Sequence, residues 1–178
     1  MIELVNRPAV RLVLVGLLAL ALQTTFFADL TVFGVVAQVM LCLAAASGVS
    51  GGSERGALTG FALGLMFDLV LSSPLGLTAL VYGLAGFLAG YIESLSVERP
   101  WWLSAAVVGA ASASATFAHP VLANWIGLEG WLTVRVLRIA LVVSLVNAIL
   151  APLAVPLMRW ALAIRRMERL SPPPEIFL

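Results

Sequence analysis

Few side chains in this sequence could do chemistry, and their spacing narrows what that chemistry could be. His119 is the only histidine and Cys42 the only cysteine among 178 residues. An intramembrane hydrolase would pair a nucleophile with an oriented base, and Ser112 or Ser114 with His119 is the pairing the sequence offers. No Asp or Glu stands close to His119 to orient it, and both serines read better as small packing residues. One His and one Cys assemble no metal set. Cys42 sits in an apolar run and reads as a small hydrophobe. Gly51-Gly52-Ser53 lacks the Lys and Ser/Thr that complete a phosphate-cradling loop. The residues therefore argue against an enzyme and imply no cofactor.

Four polar groups inside apolar runs ask for a different account. Gly56, Gly60, Gly64 and Asp68 recur at four-residue intervals, which on a helix makes one slowly drifting stripe. The glycines clear that stripe for close approach of another helix, and it ends in a carboxylate that hydrocarbon does not tolerate unpartnered. Asp68 can hydrogen-bond the turn at Ser72 and Ser73 or meet a basic partner. Arg135 and Arg138 either snorkel toward headgroups or pair with Asp68 across the bundle. Asn147 precedes Pro152 and Pro156, so the expectation is a kinked helix in which Asn147 or a neighbour satisfies the Ala148 carbonyl that Pro152 leaves free.

The elements that position these residues follow from composition. Hydrophobic residues make up 62% and charged residues 11% of the chain, and mean hydropathy is +1.08. Soluble domains are about 45–50% apolar and about 25% charged. The expected fold is an all-α polytopic membrane protein, a compact bundle of about six transmembrane helices in one domain over 1–170, with a Pro-rich tail over 171–178. The apolar runs place spans near Ala9–Phe27, Phe33–Gly48, Ala57–Leu71, Leu75–Ile92, Trp101–Phe117 and Leu132–Met158. A polar loop, Ser50–Gly56, separates the second and third, and an irregular segment, His119–Trp131, precedes the sixth. Span three is short for a bilayer, which hints that it is interior.

All ten basic residues are arginine. With the amino terminus inside, Arg7, Arg11, Arg55, Arg99, Arg159, Arg165, Arg166 and Arg169 fall on the cytoplasmic side and only Arg135 and Arg138 outside. That distribution obeys the positive-inside rule and places both termini in the cytoplasm. Ala19-Leu20-Ala21 resembles a signal cleavage site, but the apolar run continues to Phe27, so the segment reads as a retained span. A net charge of +1 gives no reason to expect nucleic acid.

Small residues also line span four, at Ala79, Gly83, Gly86 and Gly90, and most of span five. The run Gly56–Glu93 resembles the core of the MreD family of rod-shape-determining proteins: a glycine-spaced helix reaching an aspartate, a short turn, a glycine, then a helix of the A-L-x-Y-x-L-x-G type. The matching positions are Gly60, Gly64, Asp68, Gly76, Ala79, Leu80, Tyr82, Gly86 and Gly90. The resemblance implies a subunit of the bacterial cell-elongation machinery in the inner membrane. Such a subunit associates with the bitopic protein MreC, and through it with the RodA glycosyltransferase, a penicillin-binding transpeptidase and MreB. The family is similar in architecture to substrate-binding subunits of energy-coupling-factor transporters, which implies a cavity.

Two readings then compete. In one, small-residue faces receive the MreC helix, with Asp68 or Arg138 meeting a polar group. In the other, the protein binds a small molecule or lipid in an outward pocket beneath His119–Trp131, closed by Trp125, Glu129 and Trp131. The tail alternates Trp160, Ile164, Met167 and Leu170 with Arg159, Arg165, Arg166 and Arg169, so span six is expected to continue as an amphipathic turn or two anchored on membrane lipids.

Overall fold

The computed structural model describes residues 7–29, 31–71, 74–96, 100–125, 127 and 135–164. Among the described residues six helices follow the chain: α1 (Pro8–Asp29), α2 (Val39–Gly51), α3 (Ser53–Asp68), α4 (Leu77–Ser94), α5 (Trp101–Trp125) and α6 (Arg135–Ala161). Between α1 and α2 lies a small hairpin, β1 (Thr31–Val32) paired antiparallel with β2 (Val35–Val36) in the register Thr31–Val36 and Val32–Val35. Its turn, Phe33-Gly34, has φ of 50° and 75°. Two positive φ values in a two-residue loop match the twist of a hairpin, at the cost of holding Phe33 where side chains crowd the backbone. Four helices, α1, α4, α5 and α6, are long and apolar enough to cross a membrane.

The core is built around α2. Residues Met40 to Val49 are all buried, the pattern of a helix that is apolar on every side and packed on every side. The second span was expected to start at Phe33 and the third to be the interior one. Instead the hairpin consumes the start of that run, and α2 is left with 13 residues, about 20 Å of helix against a hydrocarbon core of about 30 Å. α3 keeps a lipid-facing side, with Leu58, Phe61 and Leu65 exposed. α1 lies at the periphery and turns Leu14, Leu17, Leu18 and Phe26 outward.

The polar loop expected over Ser50–Gly56 shrinks to one residue. Gly52 stands between α2 and α3 at φ 86°, ψ 175°, a conformation open only to glycine, donates its N–H to the Gly48 carbonyl at 2.8 Å, and accepts from the Gly56 N–H at 2.9 Å. The polar residues Ser53, Glu54 and Arg55 form the first turn of α3, where composition suggested a loop. The fifth span also runs further than hydropathy indicates, because α5 continues through His119 and Pro120 to Trp125.

At the far end of the chain, α6 passes both Pro152 and Pro156 as one helix and then stops. Ala163 takes φ 52°, the Ala163 N–H bonds the Trp160 carbonyl at 3.2 Å, and the Ile164 N–H reaches back to the Arg159 carbonyl at 3.0 Å. That pair of bonds around a left-handed residue is a Schellman closure. The expected continuation of span six as a surface helix, with Arg165, Arg166 and Arg169, lies outside the described residues. The Arg11 guanidinium donates to the Trp160 carbonyl at 3.2 Å and stands 4.9 Å over the Trp160 ring. The first and last helices are thus fastened at one end of the bundle, where a cation meets the negative end of α6 and an aromatic face.

Candidate functional site

The glycine stripe of α3 is occupied from within. A Cβ on Gly60 would fall on the Tyr82 carbonyl oxygen of α4, one on Gly56 would fall on the Gly86 carbonyl, and one on Gly64 would stand 2.6 Å from the Thr78 carbonyl oxygen. The approach is reciprocal: Gly86 abuts the Gly56 carbonyl, and Gly90 abuts the Gly52–Ser53 peptide. Gly83 is the exception, since its Cβ would stand 3.3 Å from the Ala57 oxygen and 3.4 Å from Phe61 Cβ. Missing side chains here let two backbones touch, which is what holds helices together when water supplies no drive. A partner helix cannot use Gly56, Gly60 or Gly64, because α4 of the same chain already fills the groove.

Asp68 completes this interface. Its carboxylate is 1% exposed and accepts three backbone N–H groups at the start of α4: Oδ2 from Gly76 at 2.9 Å and Ala79 at 3.1 Å, and Oδ1 from Thr78 at 3.3 Å. A helix start offers unsatisfied N–H groups and a positive dipole end, so an anion there is stabilised twice over. The pairing expected with Arg135 or Arg138 is replaced by this cap. Arg138 instead donates from Nη2 to the Phe33 carbonyl at 2.6 Å, fastening α6 to the tip of the hairpin.

Asn147 also differs from its expected role. It is fully buried, and its Nδ2 donates to Ser112 Oγ on α5 at 2.9 Å, so it crosslinks two helices and does not serve the Ala148 carbonyl. The Ser112 hydroxyl donates in turn to the Val108 carbonyl at 2.8 Å, and the Ser114 hydroxyl to the Ala110 carbonyl at 2.9 Å, so both serines bond their own helix. The Cys42 thiol points at the Asn147 carbonyl at 3.6 Å.

Two buried polar residues escaped the sequence reading. Gln23, 6% exposed, donates to the Ala37 carbonyl at 2.6 Å and accepts from the Val39 N–H at 2.7 Å, bracketing the exit of the hairpin. A lone Gln in an apolar run was the signal, by the same rule that singled out Asp68. Glu93, just past the expected end of span four, is 2% exposed. Its Oε1 accepts from Ser104 Oγ at 3.2 Å, and Oε2 has no partner among the described residues. Gly86, Gly90 and Glu93 continue the small face of α4 at helical spacing, so each glycine stripe ends in a buried carboxylate.

Where all the helices come together beside the Asp68 cap, an open cavity of about 540 Å³ enters the bundle. Leu41, Phe67, Val81 and Ile139 line it, with Tyr82, Thr78, Thr116, Gln38, His119 and Arg135 contributing polar groups. Trp125, expected to close such a pocket, is 80% exposed and is not part of the wall. Glu129 and Trp131 lie outside the described residues. Among the described residues no group of three or more His, Cys, Asp or Glu is placed to hold a metal ion.

The family model described as rod shape-determining protein MreD matches residues 7–162. No curated protein and no solved structure matches the chain.

Proposed function

Since the chain belongs to the MreD family of rod shape-determining membrane proteins, we propose that it is a non-catalytic, multi-pass subunit of the cell-elongation complex in the bacterial inner membrane. In this reading it binds the single transmembrane helix of MreC and, through MreC, supports peptidoglycan synthesis by RodA and its penicillin-binding transpeptidase in register with MreB. Both termini face the cytoplasm, as the arginine distribution indicates. The observation that carries the reading is the family match over nearly the whole apolar bundle.

The packing of α3 on α4 moves the partner's place in this reading to a lipid-facing side. Leu84, Phe87 and Tyr91 of α4 are exposed, and the last two rings stack in parallel at 6.4 Å. They present a pre-formed apolar ridge beside Gly83, the stripe glycine of α4 least closely pressed by α3. Cysteines placed at 84 or 91 are expected to crosslink to the MreC span, whereas cysteines at Leu145 or Ile149 on α6 are not. Failure of the full chain to co-purify with MreC would refute the assignment, and crosslinking from α6 alone would relocate it.

A further inference from the structure

The cavity beside the Asp68 cap holds a guanidinium and no carboxylate among its described lining residues. Asp68 is adjacent, but its oxygens are turned to the N–H groups of α4 and it is not part of the wall. Arg135, at the start of α6, makes no hydrogen bond or ion pair among the described residues, unlike Arg138 three residues on. A guanidinium is an anion receptor with five donors in a fixed fork.

The Thr78 hydroxyl is buried without a partner among the described residues, on a residue 3% exposed. Orphaned buried hydroxyls are rare because each costs about 1–3 kcal/mol. The Tyr82 side chain is 4% exposed and its hydroxyl likewise finds no partner among the described residues. Thr78, Tyr82 and Arg135 therefore line one apolar-walled space of about 540 Å³, within the roughly 300–1,000 Å³ of ordinary ligand sites. α5 contributes Thr116 and His119, α2 contributes Gln38, and neither adds a negative charge.

We propose that this cavity binds the anionic headgroup of a membrane lipid, with Arg135 holding the charge and Tyr82 and Thr78 bonding its polar atoms. The apolar wall formed by Phe67, Val81 and Ile139 receives the adjoining hydrocarbon. The chemistry required is a phosphate or carboxylate on an apolar body, and a lipid supplies both at the depth where a helix-end arginine lies.

The test uses the full chain in detergent, titrated with phosphatidylglycerol or with phosphatidylcholine of the same acyl chains, and bound lipid counted by native mass spectrometry. Wild type is expected to prefer the anionic lipid, and Arg135→Gln to reduce that preference about tenfold, the loss expected for one charge-assisted contact. Tyr82→Phe is expected to weaken it about threefold. Arg138→Gln, whose side chain serves the hairpin, should leave it unchanged. Thermal unfolding without lipid checks that Arg135→Gln still folds, which an exposed side chain with no bond among the described residues predicts. No loss in Arg135→Gln, or an equal loss in Arg138→Gln, overturns the site. Stabilisation by millimolar inorganic phosphate that depends on Arg135, without lipid preference, overturns the lipid as occupant in favour of a soluble anion. Binding of MreC is read separately by co-purification, so failure of either assignment is distinguishable from failure of the other.

Discussion

Replacing Asp68 by alanine removes the acceptor of three N–H groups at the start of α4 and leaves them buried. The expected loss is about 3 kcal/mol, with Asp68→Asn losing about half because one amide oxygen still accepts. Chemical or thermal unfolding in detergent measures both, and a cost from Asp68→Asn equal to that of alanine would show that charge alone matters. A second contrast separates backbone contact from mere helical spacing. Gly60→Ala drives a methyl into the Tyr82 carbonyl and is expected to cost at least about 2 kcal/mol. The methyl of Gly83→Ala would stand 3.3 Å from the Ala57 carbonyl oxygen, a tight contact relieved by a shift of a few tenths of an ångström, and should cost less than Gly60→Ala, about 1 kcal/mol. At this scale the sequence reveals that glycines and Asp68 form one stripe, yet it cannot say what fills the stripe. Spacing defines a face, whereas the occupant is fixed by which helix the short connection after Asp68 returns.

Among the elements, α6 ends on a residue ill suited to its conformation. Alanine at φ 52° carries a Cβ penalty that glycine lacks, so Ala163→Gly should raise stability by about 0.5–1 kcal/mol, read as a higher unfolding midpoint. Hydropathy located three of the four long apolar helices within a few residues, because a membrane core imposes length and composition together, and stopped short on α5, which runs on to Trp125. It anticipated the shortness of α3 but misjudged α2, whose 13 residues are buried among neighbours. It also misplaced the loop between them, since a single Gly52 turns the chain while polar residues already belong to the next helix. The hairpin was invisible as well: two-residue strands of Thr and Val in an apolar run leave no periodicity to read.

For the whole molecule, Arg11 on Trp160 gathers both ends of the described chain at one side of the bundle, while Arg138 on Phe33 marks the other. Arginine counting predicts which side is which. A cysteine at Leu162 should be labelled only from the cytoplasm and one at Phe33 only from outside, and native Cys42, 1% exposed, gives no background. The reverse labelling would invert the proposed orientation. The cavity was anticipated only as an implication of a family likeness. Its walls come from every helix, so no local pattern encodes it. Asp68 also bears on how the chain is made. As ribosomal synthesis proceeds, α3 emerges with a carboxylate whose three donors have yet to be translated, on a helix of 16 residues that carries Glu54 and Arg55. Alone it is a poor substrate for the translocon. Nascent chains arrested after Leu71 should then leave α3 out of the bilayer, and chains extended through Ser96 should integrate α3 and α4 as a pair, as a glycosylation-acceptor reporter would record. The cap is in this sense an instruction about the order of biosynthesis.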